Sequence, residues 1–186
     1  MKNLIIILSL FFSISSCNQE GKNNLPNKNK LIKPLSHYFD FDEVVHYKTD
    51  LDSEQARDLI NKRNKSKQDT LLLIAVSSLW LPRALTDTNF LNSLETLPFE
   101  KKALPNTSIS LINNIFKEKV PIDEIEENMC LPLFRDILIF KKFQRINGLA
   151  KICFECQQHY IIGTSANTFL FGTQGDYKKL ETILKK

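Results

Sequence analysis

The sequence predicts an α+β domain with helices in the first half, a small antiparallel sheet built on a C-terminal hairpin, and a closing C-terminal helix. Capping residues and proline stops bound apolar stretches throughout the first half of the chain. In the second half, β-rich runs flank the dipeptide Phe143-Gln144, a spacing typical of a tight hairpin. With 186 residues, of which 42% are hydrophobic, the chain has the composition of an ordinary globular protein.

The first elements of the predicted domain are a strand and a helix. Residues Phe41–Thr49 include a run of β-favouring residues, which predicts the strand. Asp52 or Ser53 can then cap a helix that continues to about Lys62, because their side-chain oxygens accept hydrogen bonds from free N–H groups of the first turn.

Three more elements are expected before the pattern changes. Thr70–Trp80 is the most apolar segment of the body, and Pro82 ends it. A membrane span needs about 20 apolar residues, so we expect a buried core element instead. Two helices are predicted over Asp87–Thr96 and Thr107–Lys119, the second capped within its first two residues and each stopped by a following proline.

The C-terminal part of the chain predicts strands and a final helix. Phe134–Lys141 and Ile146–Phe154 are the two arms of the predicted hairpin. Gln158–Gly163 can add a third strand to them. A loop rich in glycine and threonine follows, and Asp176–Lys185 has the pattern of the closing helix.

The N-terminus has the layout of an export signal, predicted over residues 1–16. A basic start precedes the apolar run Leu4–Phe12, and Ile14-Ser15-Ser16-Cys17 follows. This tetrapeptide resembles the lipobox of bacterial lipoprotein precursors, in which the cysteine receives lipid and becomes the first residue. The resemblance implies that Cys17 is lipidated; the alternative is an uncleaved anchor that contains an incidental cysteine.

Lipidation would divide the chain into an anchor, a tether and a domain. Residues 17–34 are rich in asparagine and lysine and have no hydrophobic period, which predicts a lipidated cysteine with a flexible tether. Residues 35–186 then form a single globular domain. The net charge is only +4, with lysine and arginine interspersed among acidic residues, which argues against nucleic acid as a partner.

One cluster of residues carries possible site chemistry. Beyond Cys17 the chain has three cysteines, and the predicted hairpin brings Cys130 near Cys156. Four alternatives stay open: a disulfide with one buried thiol, a zinc site formed by Cys130, Cys153, Cys156 and His159, thiol–disulfide exchange by Cys153 and Cys156, and three core cysteines without a role. No helix pattern follows the pair, which weighs against a thioredoxin-like mechanism.

The segments Cys130–Asp136, Lys151–Cys156 and Phe171-Gly172 resemble a pattern in uncharacterised lipoproteins of Bacteroidota. The resemblance implies no activity. In that phylum an acidic run after the lipidated cysteine goes with surface display, and here Glu20 is the only acid among many lysines. An outer-membrane anchor that faces the periplasm is therefore favoured over display on the surface.

The sequence contains no Gly-x-Ser-x-Gly elbow, no His-Glu-x-x-His motif and no EF-hand loop, which favours a non-enzymatic protein. The leading hypothesis is a lipid-anchored envelope protein that acts as a binding or interaction module, with the membrane and an unknown envelope component as partners. The alternatives are a zinc or thiol protein that uses the cysteine cluster, and an immunity-type lipoprotein that blocks a toxin.

Overall fold

A computed structural model describes residues 34–120 and 130–185, which form a five-stranded antiparallel sheet with helices packed on both faces. The strands are β1 (Glu43–Lys48), β2 (Glu100–Ala103), β3 (Asp136–Lys142), β4 (Arg145–Cys153) and β5 (Gln158–Ile162). Their order in the sheet is β2-β1-β3-β4-β5, so β3 of the β3–β4 hairpin lies beside β1 from the first half of the chain. The helices are α1 (Ser53–Asn61), α2 (Lys67–Ser77), α3 (Thr88–Leu94), α4 (Asn106–Ile115) and α5 (Asp176–Leu184).

Alternation along the strands builds two separate cores, because successive side chains of a strand point to opposite faces. In β3, Leu138 and Phe140 pack with α4 and α5, whereas Ile137 and Ile139 pack with α2 and α3. The core under α4 and α5 is rich in aromatic rings, and it also receives Phe39 from the segment before β1. The core under α2 and α3 is mostly aliphatic.

The β3–β4 hairpin turns at the predicted dipeptide. Phe143 and Gln144 both have positive φ, 48° and 64°, which is the backbone of the two-residue turn that matches strand twist. The pairing of Lys142 with Arg145 closes the hairpin, and a bulge after Phe140 shifts the register by one residue. A hairpin with this turn therefore forms the centre of the sheet.

The α+β class and the antiparallel sheet are confirmed, but the expected separation into helices and then strands is wrong in part. Two strands, β1 and β2, come from the first half and complete the sheet. The sequence predicts β1 through its β-favouring residues. It does not indicate β2, because the strand has only four residues, all of them exposed, and three of them are charged.

Two helices differ from their predicted form. The apolar segment expected at Thr70–Trp80 is helix α2, which begins at Lys67 with a capping box of Ser66 and Asp69 and ends at Ser77. Trp80 lies beyond it and is 73% exposed, so the expectation of burial is wrong for that residue. Helix α4 begins one residue before the predicted start, has no side-chain cap, and ends at Ile115 rather than Lys119.

None of the helices in residues 34–120 and 130–185 has the length and apolar character that crossing a bilayer requires.

Candidate functional site

A groove of about 490 Å³ lies on the α4–α5 face of the sheet, beyond the end of α5. The strands supply its floor, because alternate residues of β1, β2, β3 and β4 point to this face. Ile152 and Phe154 give the floor an apolar part, and the last turn of α5 contributes Leu184 to the wall. Ten of the fifteen lining residues are Lys, Arg, His, Asp or Glu, so the groove is mainly ionic: His46, Lys48, Asp50, Glu100, Lys102, Arg135, Asp136, Glu155, Glu181 and Lys185.

A buried histidine and carboxylate lie at the base of the groove. His46 is 3% exposed, and its Nε2 lies 2.7 Å from Oδ1 of Asp136 on the neighbouring strand. This hydrogen bond fixes the orientation of the imidazole ring. Within the described part of the chain Nδ1 of His46 has no hydrogen-bond partner. The ring is thus held in place with one nitrogen still available.

Three more ion pairs surround the base of the groove, each between two residues of the groove lining. Lys48 pairs with Asp50 at 3.4 Å, and Lys185 pairs with Glu181 at 2.6 Å. Arg135 pairs with Glu155 across the end of the sheet. These contacts are partly or fully exposed, and such pairs contribute little stability. Together they place charges of both signs around the rim.

Two charged groups of the groove, Glu100 and Lys102, have no ion-pair partner in the ranges that the structure covers. Both belong to β2, where Lys102 is paired in register with His46 and Glu100 with Lys48. Residues two apart on a strand share a face, so both side chains point to the groove side of the sheet. An anionic and a cationic group are therefore free for a ligand at the edge strand.

The cysteine cluster lies on the opposite side of the sheet from the groove. Cys130 and Cys156 form a disulfide with their Cα atoms 5.7 Å apart, and Cys153 is a buried thiol. The backbone N–H of Cys156 donates a hydrogen bond to Sγ of Cys153, with N and Sγ 3.4 Å apart. Phe134 and Leu79 pack against the two buried sulfurs. Of the four alternatives that the sequence left open, this is the disulfide with one buried thiol.

His159 does not join the cysteines. Its Nδ1 lies 2.9 Å from the hydroxyl of Tyr177, and its Nε2 lies 3.1 Å from the carbonyl oxygen of Thr168. Burial lowers the pKa of His159, which favours the neutral ring with Nε2–H as donor to the carbonyl. Both ring nitrogens are therefore engaged on the α5 side.

The donor set for zinc does not fit this arrangement. A structural zinc site needs four thiolate or imidazole ligands around one point. Here two of the proposed sulfurs are bonded to each other, and the imidazole is directed to α5. Among the described residues, no group of three or more His, Cys, Asp or Glu side chains is placed to hold a metal ion.

A second buried ionic residue lies on the α2–α3 face. Lys151 is 0% exposed, and its Nζ donates to the carbonyl oxygens of Ser78 at 2.6 Å, Leu81 at 3.2 Å and Ile74 at 3.4 Å. The ring centroid of Phe134 is 4.7 Å away. Burial lowers the pKa of Lys151 to about 7. Its role is to cap the C-terminal end of α2 and the turn beyond it.

Sequence reasoning missed the base of the groove. His46 and Asp136 are 90 residues apart, and no spacing rule connects them. Arg135 and Asp136 are adjacent in sequence but have different partners, because Arg135 pairs with Glu155 and Asp136 with His46. One signal was available: each of the two residues is a polar group within an apolar β-run.

Comparison of the chain with known protein families, with curated protein sequences and with solved structures finds no match. The predicted signal peptide, the lipidation site Cys17 and all of the tether except Pro34 lie outside the described residues.

Proposed function

We propose that this chain is a lipid-anchored protein of the bacterial cell envelope, and that its domain is a non-enzymatic module that binds another envelope component in the groove. The observation that supports the binding half is the ionic lining, in which Glu100 and Lys102 lack partners among the described residues beside the oriented His46. A ligand with charges of both signs and a short apolar part matches this lining. A segment of another protein has that chemistry.

The charges favour recognition over catalysis. In a catalytic centre, acid and base groups converge on a point that the reacting atoms can occupy. In the groove, four pairs of one acidic and one basic side chain lie around the rim and at the bottom, and each pair joins neighbours in the fold. The only hydroxyl side chain of the lining, that of Thr49, accepts a hydrogen bond from the N–H of Leu51. Such a surface is preorganised for electrostatic complementarity.

The anchoring half of the proposal depends on the sequence of residues 1–34. Each buried methylene contributes about 0.8 kcal/mol to membrane attachment, and a single acyl chain holds only marginally. Several chains on Cys17 would make attachment stable. The lysine-rich tether lets the domain reach partners at the membrane surface, with an outer-membrane anchor facing the periplasm as the favoured location.

Site-specific photo-crosslinking in the native cells tests the binding half. A photoreactive amino acid replaces Lys48 on the rim of the groove, so that Glu100 and Lys102 stay intact. The matched control carries it at Arg63, which is exposed between α1 and α2 and does not line the groove. We expect a crosslinked species from position 48 and none from position 63. Adding His46→Gln should reduce the yield at position 48, because the oriented ring is lost.

Equal crosslinking at both positions would contradict the groove as the binding surface. Crosslinking at position 48 that His46→Gln does not change would contradict a role for the base of the groove. Identification of one secreted toxin as the crosslinked species would support the immunity-type alternative instead.

Mass spectrometry of the mature N-terminus tests the anchor. We expect a chain that begins at acylated Cys17 and fractionates with membranes, and a Cys17→Ala variant that is not acylated. An unprocessed chain that starts at Met1 would contradict the lipoprotein assignment, whatever the outcome of the crosslinking.

A further inference from the structure

The three cysteines of the domain lie within one small cluster. Cys153 ends β4 and Cys156 belongs to the turn that leads into β5, so the two are the first and fourth residues of one tight turn. The 3.4 Å contact between the N–H of Cys156 and Sγ of Cys153 shows how closely this turn brings them together. Cys156 is therefore bonded to Cys130 while a second potential sulfur partner, Cys153, lies beside it.

We propose that Cys153 is an exchange thiol for the Cys130–Cys156 disulfide, and that the domain interconverts two disulfide isomers. In one isomer Cys156 is bonded to Cys130, and Cys153 is a buried thiol. In the other, Cys153 and Cys156 are bonded, and Cys130 is a surface thiol. This inference is independent of the groove and of its ligand.

The step is balanced without an external oxidant or reductant. The thiolate of Cys153 attacks Sγ of Cys156, so that a Cys153–Cys156 bond forms as the Cys130–Cys156 bond breaks. The electron pair of the broken bond leaves with Sγ of Cys130, which then takes up a proton. The proton that Cys153 loses balances the proton that Cys130 takes up, so one thiol and one disulfide are present before and after. Such exchange requires a thiolate that can reach a disulfide sulfur, and Cys153 lies beside Cys156 in the same turn.

The two isomers differ in the accessibility of the thiol. Cys153 is 2% exposed and lies beneath Phe134 and Leu79, whereas Cys130 is exposed. The exchange therefore transfers the reactive group from the interior to the surface. A surface thiol at Cys130 can react with a disulfide of a partner, forming a mixed disulfide and releasing the partner's thiol.

Two-step alkylation of the folded full-length protein tests the exchange. The protein is held at pH 8 without reductant and labelled with N-ethylmaleimide at several times. It is then unfolded in denaturant that contains iodoacetamide, which labels the remaining thiols, and is digested with trypsin. Cleavage after Lys119, Arg135, Lys151 and Lys178 puts Cys130 in peptide 120–135 and the other two cysteines in peptide 152–178, while Cys17 falls in a different peptide.

We expect N-ethylmaleimide on Cys130 together with an internal disulfide in peptide 152–178, in a fraction that increases with time and with pH. The remaining protein should show peptides 120–135 and 152–178 joined, with iodoacetamide on Cys153. If only the joined form is found at every time and pH, the proposal is overturned.

Variants distinguish exchange from simple reduction. Cys153→Ser and Cys153→Ala both remove the attacking thiol, and either one that keeps the circular dichroism of the parent serves as the control. We expect labelling of Cys130 to fall to background in them. Labelling at the parent level would overturn the proposal, because Cys130 would then become free without Cys153. The peptide map of the parent protein tests exchange even if neither variant folds.

Discussion

Among the residues that the structure describes, each face of the sheet buries one lysine, and the two faces compensate for its charge in different ways. Under α4 and α5, Nζ of Lys119 lies 2.9 Å from a carboxylate oxygen of Asp176, and both side chains are 2% exposed. Under α2 and α3, Lys151 has no carboxylate at salt-bridge distance in the covered residues, and three carbonyl oxygens and aromatic rings surround its nitrogen.

The difference shows what each lysine stabilises. Lys119 also donates to the carbonyl of Ile115, and Asp176 accepts from the N–H of Gly172, so this pair joins the end of α4 to the start of α5. A buried pair of this kind depends on both members, since either one alone is an uncompensated charge. Lys151 instead acts at a helix C-terminus, where the unpaired carbonyls favour a cation. If Lys151 loses its proton, no carboxylate among the described residues is left buried without its counter-charge.

The largest effect is expected from Asp176→Asn. The substitution keeps the shape of the side chain but leaves the ammonium group of Lys119 buried without a counter-charge. We expect the free energy of unfolding to fall by about 3–5 kcal/mol, the range for one broken member of a buried pair. Denaturant unfolding at pH 7 measures it.

The double variant Lys119→Met, Asp176→Asn is the control for that prediction. It removes both charges, so it should be more stable than Asp176→Asn alone. A double variant that is less stable than the single one would show that the cost comes from packing rather than from the unpaired charge.

The aromatic packing of the α4–α5 face gives the next effect. Gly148 lies opposite Phe140 in the sheet, and a Cβ at this position would overlap the ring of Phe39, whose centroid is 4.4 Å from that of Phe140. We expect Gly148→Ala to lower the free energy of unfolding by about 1–3 kcal/mol, as overpacking does. Denaturant unfolding measures the change, and adding Phe39→Leu should recover part of it. If Phe39→Leu restores no stability, the destabilisation does not come from overlap with the ring of Phe39.

Lys151→Met should have the smallest effect at neutral pH and a distinctive pH dependence. The methionine fills the apolar part of the site and leaves the carbonyl oxygens without their donor, which costs about 1–2 kcal/mol. It also removes the cost of burying the ammonium group near pH 7, which acts in the opposite direction, so we expect the net change at neutral pH to be the smallest of the three. The sign of the pH effect follows from the lowered pKa. Between about 7 and the ordinary value of 10.5, the unfolded chain binds the lysine proton more strongly than the folded chain.

The parent protein should therefore gain stability as pH rises from 7 to 9, relative to Lys151→Met, by up to about 1.4 kcal/mol per pH unit. Below pH 7 the difference between the two proteins should be constant. Unfolding measured at several pH values on both proteins checks this. Identical pH profiles would mean that Lys151 keeps its ordinary pKa in the fold.

Local elements were the most predictable part of this molecule. The helix that Asp52 caps, the helix that Asp87 caps and the hairpin turn at Phe143-Gln144 were all predicted, because each depends on residues within a few positions of one another. The short strand β2 was not, since a four-residue charged segment becomes a strand only through its pairing with β1. The groove was missed for the same reason: its residues come from five separate elements and the segments beside them.

By itself, the sequence determined the α+β class, the main helices and the central hairpin, because hydrophobic periodicity, capping and turn chemistry act over short distances. It is also the only basis for the proposed export and lipidation, which stay predictions. Only the tertiary structure decided that Cys130 bonds to Cys156, that His46 meets Asp136, and that, of the two lysines buried in the described ranges, one has a counter-charge there and the other does not. Those outcomes depend on strand register and on which helix covers which face, and contacts between distant parts of the chain set both.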